Sequence, residues 1–237
     1  MTGMLRHSAP LILVVALVAC SDSAVPSSTT MPDTVDTTTP SMGYLALGDS
    51  YTIGEGVPAS ERWPVQLVGL VRERGVELAD PVIIARTGWS TAELDAGIDR
   101  AEPAGTNRLV TLLIGVNNQY RGRSLDEYRV EFADLLERAI GYADGDPNRV
   151  VVLSIPDWGV TPFASGANKA GIAEAIDSFN AVAAEETTAA GAHFVDITGI
   201  SRSAPDMVTS DGLHPSGEMY RLWAEATLET VLAILGS

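Results

Sequence analysis

Apolar residues recur along this chain in two rhythms. Short, near-continuous apolar runs alternate with stretches where apolar positions fall three or four residues apart. The first rhythm marks strands buried on both faces, the second amphipathic helices. Strands are predicted at Tyr44–Leu47, Pro81–Ala85, Arg108–Ile114, Arg149–Ile155 and His193–Ile197. Between them lie predicted helices at Trp63–Arg74, where Pro64 suits a first turn, and at Thr91–Arg100. Ser124 and Glu127 form a capping box, and behind them Leu125, Tyr128, Phe132, Leu135, Leu136 and Ala139 share one face. That stripe is core, not a site. Lys169–Ala190 reads as an Ala-rich helix stopped by Gly191, and Ser216 caps a last helix ending near Leu235.

Apolar strands separated by helices imply a parallel sheet covered on both faces. Right-handed crossovers then give an α/β fold: three layers, α/β/α, around a five-stranded parallel sheet, flavodoxin-like, over residues 43–237. No internal repeat or second domain is visible.

The first 42 residues follow neither rhythm. Arg6 and His7 precede an apolar stretch from Pro10 to Val18, too short to span a bilayer. Residues 1–19 read as a signal peptide. The stretch ends in Leu17-Val18-Ala19-Cys20, and Cys20 is the one cysteine of the chain. This resembles a bacterial lipobox, which implies cleavage before Cys20, lipidation of its thiol and anchorage at a membrane of the cell envelope. Of the 22 residues from Ser21 to Met42, 14 are Ser, Thr or Pro. Such a segment buries too little to fold, so residues 20–42 read as a lipidated cysteine and tether, spanning roughly 25 Å as a flexible coil.

Composition narrows the chemistry. Fifteen Lys and Arg face 31 Asp and Glu, a net charge of −16. That balance argues against nucleic acid as a partner, because phosphates need cations. One cysteine excludes an intramolecular disulfide framework and a multi-cysteine metal site. There is no His-Glu-x-x-His, and no P-loop. Lys169 is the only lysine and lies far in sequence from the serine discussed next, and Gly54-Glu55-Gly56 lacks the third glycine of a dinucleotide fingerprint.

In open parallel sheets ligands bind beyond the carboxyl ends of the strands. The loops there are Gly48-Asp49-Ser50-Tyr51, Arg86-Thr87-Gly88-Trp89, Gly115-Val116-Asn117-Asn118, Pro156-Asp157-Trp158-Gly159 and, before the last helix, Asp211-Gly212-Leu213-His214. Ser50 offers a hydroxyl that needs a base to become a nucleophile. Histidine is the natural base. His7 leaves with the signal and His193 opens a strand at the wrong edge, which leaves His214. Asp211 can turn back to hold the other imidazole nitrogen. Ester attack creates an oxyanion, for which the Ser50 and Gly88 N–H groups and the Asn117 amide are donors. Tyr51, Trp89, Asn118, Gln119, Tyr120, Arg121 and Trp158 are candidate substrate contacts, and Asp157 is read as a turn residue.

This set resembles the SGNH or GDSL hydrolases. Their four blocks are matched in order by Ser50 in Gly-Asp-Ser, Gly88, Asn117 in Gly-x-Asn, and Asp211 with His214 in Asp-x-x-His. Asn118 stands where the family commonly has Asp. The resemblance covers Gly43 to Ser237 and implies ester hydrolysis without a cofactor or metal, on a small-molecule, lipid or carbohydrate ester. A surface-tethered binding lipoprotein without turnover is the alternative on the same fold.

Overall fold

Five apolar runs become five parallel strands: β1 (Tyr44–Gly48), β2 (Pro81–Ala85), β3 (Leu109–Leu113), β4 (Val150–Leu153) and β5 (His193–Val195). The computed structural model describes residues 43–103 and 105–236. The expected signal peptide, Cys20 and the tether lie outside the described residues. The strand order is β2-β1-β3-β4-β5. This is the flavodoxin-like order, in which the chain runs outward from β1 and then reverses. Every residue of β1, β3 and β4 is buried, whereas β2 and β5 are edges and half-exposed.

The helices are α1 (Ser50–Ile53), α2 (Trp63–Glu73), α3 (Thr91–Ala101), α4 (Val116–Tyr120), α5 (Leu125–Tyr142), α6 (Lys169–Ala190), α7 (Thr198–Ser203) and α8 (Gly217–Leu235). Right-handed crossovers put α2 with α8 on one face of the sheet and α3, α5 and α6 on the other. The predicted stripe of α5 is core: Tyr128, Phe132, Leu135, Leu136 and Ala139 are buried, and only Leu125 is exposed. Trp63 of α2 and Trp223 of α8 are fully buried on the opposite face.

Strands β4 and β5 stop earlier than the apolar runs predict, because side chains take over the ladder. Asn180 of α6 accepts from the Ile155 N–H at 2.7 Å and donates to its carbonyl at 3.0 Å. The Ser154 hydroxyl accepts from the N–H groups of Ile197 (2.8 Å) and Thr198 (3.1 Å). These bonds satisfy the backbone where the two chains diverge toward the carboxyl edge. His193, at the opposite end of β5, pairs in register with Val151.

Candidate active site

Ser50 is the first residue of α1, directly after β1, and is 5% exposed. Its N–H therefore has no intrahelical acceptor and remains available at the helix start. Asp49 before it caps the helix: its Oδ1 accepts from the Tyr51 N–H at 3.0 Å. The Asp49 carboxyl is fully buried, and its Oδ2 lacks a well-formed hydrogen bond. Burial pushes its pKa up to about 7, with the Tyr51 N–H opposing the shift.

The loop before α8 folds back on itself through Gly212 at φ 72°. Asp211 Oδ2 lies 2.6 Å from His214 Nδ1. Its Oδ1 accepts from the N–H groups of Leu213 (2.8 Å) and His214 (3.0 Å) and from the Thr209 hydroxyl (2.9 Å). Burial resists ionisation of Asp211, but the His214 contact, these N–H groups and Thr209 outweigh it and hold the carboxyl well below the usual carboxylate range. A carboxylate on Nδ1 selects the Nδ1–H tautomer and leaves Nε2 as a proton acceptor. The Tyr51 ring meets His214 edge-on, with centroids 6.0 Å apart, and packs against Trp223 at 5.8 Å.

Gly88, in the turn after β2, has φ 87°, and Asn117 lies on α4 after β3. The Asn117 Nδ2 donates to the Trp89 carbonyl at 2.9 Å, and the same amide lies beside the Asp49 carboxyl and helps to oppose the rise of its pKa. Gly115 lets α4 start there: its φ is 127°, and a Cβ would stand 2.7 Å from the Tyr128 ring. Ser50, Gly88, Asn117 and His214 line one cleft of about 210 Å³, walled by Tyr51 and Trp158 among others. A serine hydroxyl, an imidazole held by a carboxylate, and three potential hydrogen-bond donors thus line one space.

The sequence from residue 46 to residue 222 matches the GDSL-like lipase/acylhydrolase family. This chain belongs to that family. It is an enzyme, an ester hydrolase. Among solved structures it resembles TesA, at 18% identity and a TM-score of 0.64 over 81% of this chain and 99% of that one. It also resembles a lipase/acylhydrolase from Enterococcus faecalis (19% identity, TM-score 0.62, 81% and 95% covered). A third is Axe2, an acetylxylan esterase from Geobacillus stearothermophilus (18%, 0.61, 81% and 96%). At these identities the likeness is one of fold. No curated protein matches the chain by sequence.

In this GDSL hydrolase not every expected contact residue faces the cleft. Tyr51, Tyr120 and Trp158 line it. Asn118 does not: it is buried, accepts from the Thr91 N–H at 3.0 Å and donates to the Thr91 hydroxyl at 2.6 Å. Thr91 in turn donates to Glu131. Asn118 thus ties α4 to the start of α3, and an amide suits a place that asks for both an acceptor and a donor. Trp89 turns away as well, lying over Gly97 with the Arg100 guanidinium 6.0 Å from its ring centroid. Gln119 accepts from the Trp158 indole N–H at 2.8 Å and so orients that ring. Arg121 reaches back to the Gly88 carbonyl instead of into the cleft. Asp157 is the turn residue expected: buried, it accepts from the Gly159 N–H at 2.9 Å and pairs with Arg202 at 2.8 Å.

The sequence reading missed Phe163, Leu213, Val116 and Thr87 as cleft residues. Phe163 carried a signal, since a large aromatic in a Pro-Phe-Ala loop past a strand end has no helical stripe to join.

Proposed function

We propose that this enzyme hydrolyses carboxylic esters through an acyl-enzyme on Ser50. Ser50 Oγ attacks the carbonyl carbon while His214 Nε2 takes its proton. Asp211 orients the imidazole and stabilises the imidazolium. The carbonyl oxygen gains its negative charge among the Ser50 N–H, the Gly88 N–H and the Asn117 amide. His214 then returns the proton to the leaving alcohol, and water repeats the sequence to release the acid. The observation that carries this reading is the convergence of Ser50, Gly88, Asn117 and His214 on one cleft, with Asp211 at 2.6 Å from His214 Nδ1.

The substrates we propose are carboxylic esters: short-chain esters, acylated carbohydrates or lysophospholipids. The aromatic walls suit an apolar chain or a sugar face. Acetylated carbohydrate finds added support in the likeness to an acetylxylan esterase. We also place the enzyme at the bacterial envelope, held by lipid on Cys20 and a tether ending near Met42. Incorporation of labelled fatty acid, lost in Cys20→Ser, tests the anchor.

The deciding experiment is hydrolysis of p-nitrophenyl esters from acetate to palmitate by protein starting at Ser21. Turnover should vanish in Ser50→Ala and fall by about 10²–10³ in kcat in Asn117→Ala. Full activity in Ser50→Ala would refute the mechanism. Absence of turnover at every chain length would point to a narrow natural substrate outside this series.

A further inference from the structure

Three neighbouring side chains grip successive main-chain groups of the loop after β2. Arg121, the C-cap of α4, donates from Nη2 to the Gly88 carbonyl at 2.5 Å. Asn117 donates to the Trp89 carbonyl, and Asn118 accepts from the Thr91 N–H. The peptide unit joining Gly88 to Trp89 is held at both ends, because its N–H also donates to the Arg86 carbonyl at 3.2 Å.

Gly88 needs such a hold. A glycine has no side chain to limit its backbone, and at φ 87° it sits where rotation is cheapest. Its N–H is useful to an oxyanion only if it keeps its direction before the charge appears. The Asn117 amide and the Gly88 N–H also come from segments 29 positions apart in sequence, and their spacing has to match one oxygen atom. Arg121 links the two. Its own N–H closes onto the Asn117 carbonyl at 3.1 Å, so Arg121 and Asn117 move with the same short helix. Its other guanidinium nitrogen, Nη1, donates to Glu93 at 2.8 Å, and Glu93 accepts from the Ser90 N–H at 2.8 Å. The planar fork thus spans both ends of the turn, which a single ammonium cannot do.

We infer that Arg121 is a positioning residue of the oxyanion site: by holding the Gly88 carbonyl from the helix that carries Asn117, it sets the spacing between the Gly88 N–H and the Asn117 amide. This rests on the reading of those two groups as oxyanion donors. A stability role accounts poorly for the contact. The Arg121–Glu93 pair is exposed, and pairs of that kind contribute about 0–1 kcal/mol.

The test compares wild type, Arg121→Met and Arg121→Lys in the full chain. It measures kcat, KM and the affinity for an alkyl boronic acid, which forms a tetrahedral adduct on a serine. Arg121→Met should lose between about 10- and 100-fold in kcat at a KM within about 2-fold of wild type, and bind the boronic acid weaker by a similar factor. Arg121→Lys, which keeps one donor, should fall between. Unchanged kcat and boronate affinity would overturn the inference. A loss confined to KM would overturn it too, since Arg121 would then touch substrate. Should Arg121→Met fail to fold, Arg121→Lys decides: it keeps the charge but not the fork, and a reduced kcat at constant KM supports the inference while an unchanged kcat defeats it. Ser50→Ala run alongside separates the two failures. Activity in Ser50→Ala refutes the serine mechanism itself, whereas a dead Ser50→Ala beside a fully active Arg121→Met refutes only the role of Arg121.

Discussion

Asp49 holds its proton against the ordinary chemistry of a carboxylate, and that has a cost for folding. The unfolded chain releases this proton near pH 4, whereas burial keeps it on the folded chain up to about pH 7. Between those values the folded state binds more protons than the unfolded one. Stability therefore falls as pH rises through this window, by an amount on the order of 4 kcal/mol. Asp49→Asn removes the titration and keeps the shape. Urea unfolding of both proteins at several pH values should show the variant gaining on wild type from about pH 4 to about pH 7 and running parallel on either side. A constant difference would mean that Asp49 ionises normally. Asp211 has the opposite sign: its depressed pKa contributes stability above the usual carboxylate range that is lost as the pH falls through its folded value.

Among elements, the short ones carry the site. Helices α1 and α4, which carry Ser50 and Asn117, have five residues or fewer and no apolar stripe, so periodicity cannot announce them. The five strands and the long helices were legible because burial writes a period into them. Their ends were less so, because Asn180 and Ser154 close the ladder from outside it. The candidate site was legible for another reason. Ser50, Gly88, Asn117, Asp211 and His214 each sit within a few residues of a strand end or helix start, where topology alone brings them to one edge. Asn118 and Trp89 share those loops, but the way their side chains turn depends on partners such as Thr91 and Gly97, remote in sequence. Helix α4 depends on Gly115 for its start. Gly115→Ala forces both a disfavoured φ and a collision with Tyr128, so thermal melting should show a loss of at least about 2 kcal/mol. Activity at a temperature where the variant is still folded should drop as well, because Asn117 moves with α4.

The whole molecule presents its cleft within a strongly negative chain, at −16. Among the described residues that line the cleft none is Lys, Arg, Asp or Glu; Asp211 stands behind His214, and the nearby Arg121 is paired with Glu93. Anionic esters should approach against this field and neutral ones should ignore it. Raising salt from about 0.01 M to about 1 M shortens the screening length from about 30 Å to about 3 Å. Over that range kcat/KM for an ester with a carboxylate in its acyl group should rise several-fold, and that for a neutral ester of equal length should stay level. Equal responses of the two would argue that charge plays no part in substrate choice.

The aromatic rim is only partly tied to the site residues: Phe163 stands on a separate turn, whereas Tyr120 shares α4 with Asn117. Tyr120 and Phe163 are half-exposed and meet Trp158 edge-on at 5.3 and 6.2 Å. None of the three rings bonds to Ser50, Gly88, Asp211 or His214; Trp158 is oriented through Gln119. Substitution at Phe163 should therefore change which acyl group is accepted while Ser50, Asn117 and His214 stay in place. The rim also marks where a designer should begin: a small library at position 163, which stands on its own turn and off α4, explores selectivity without gambling the turnover.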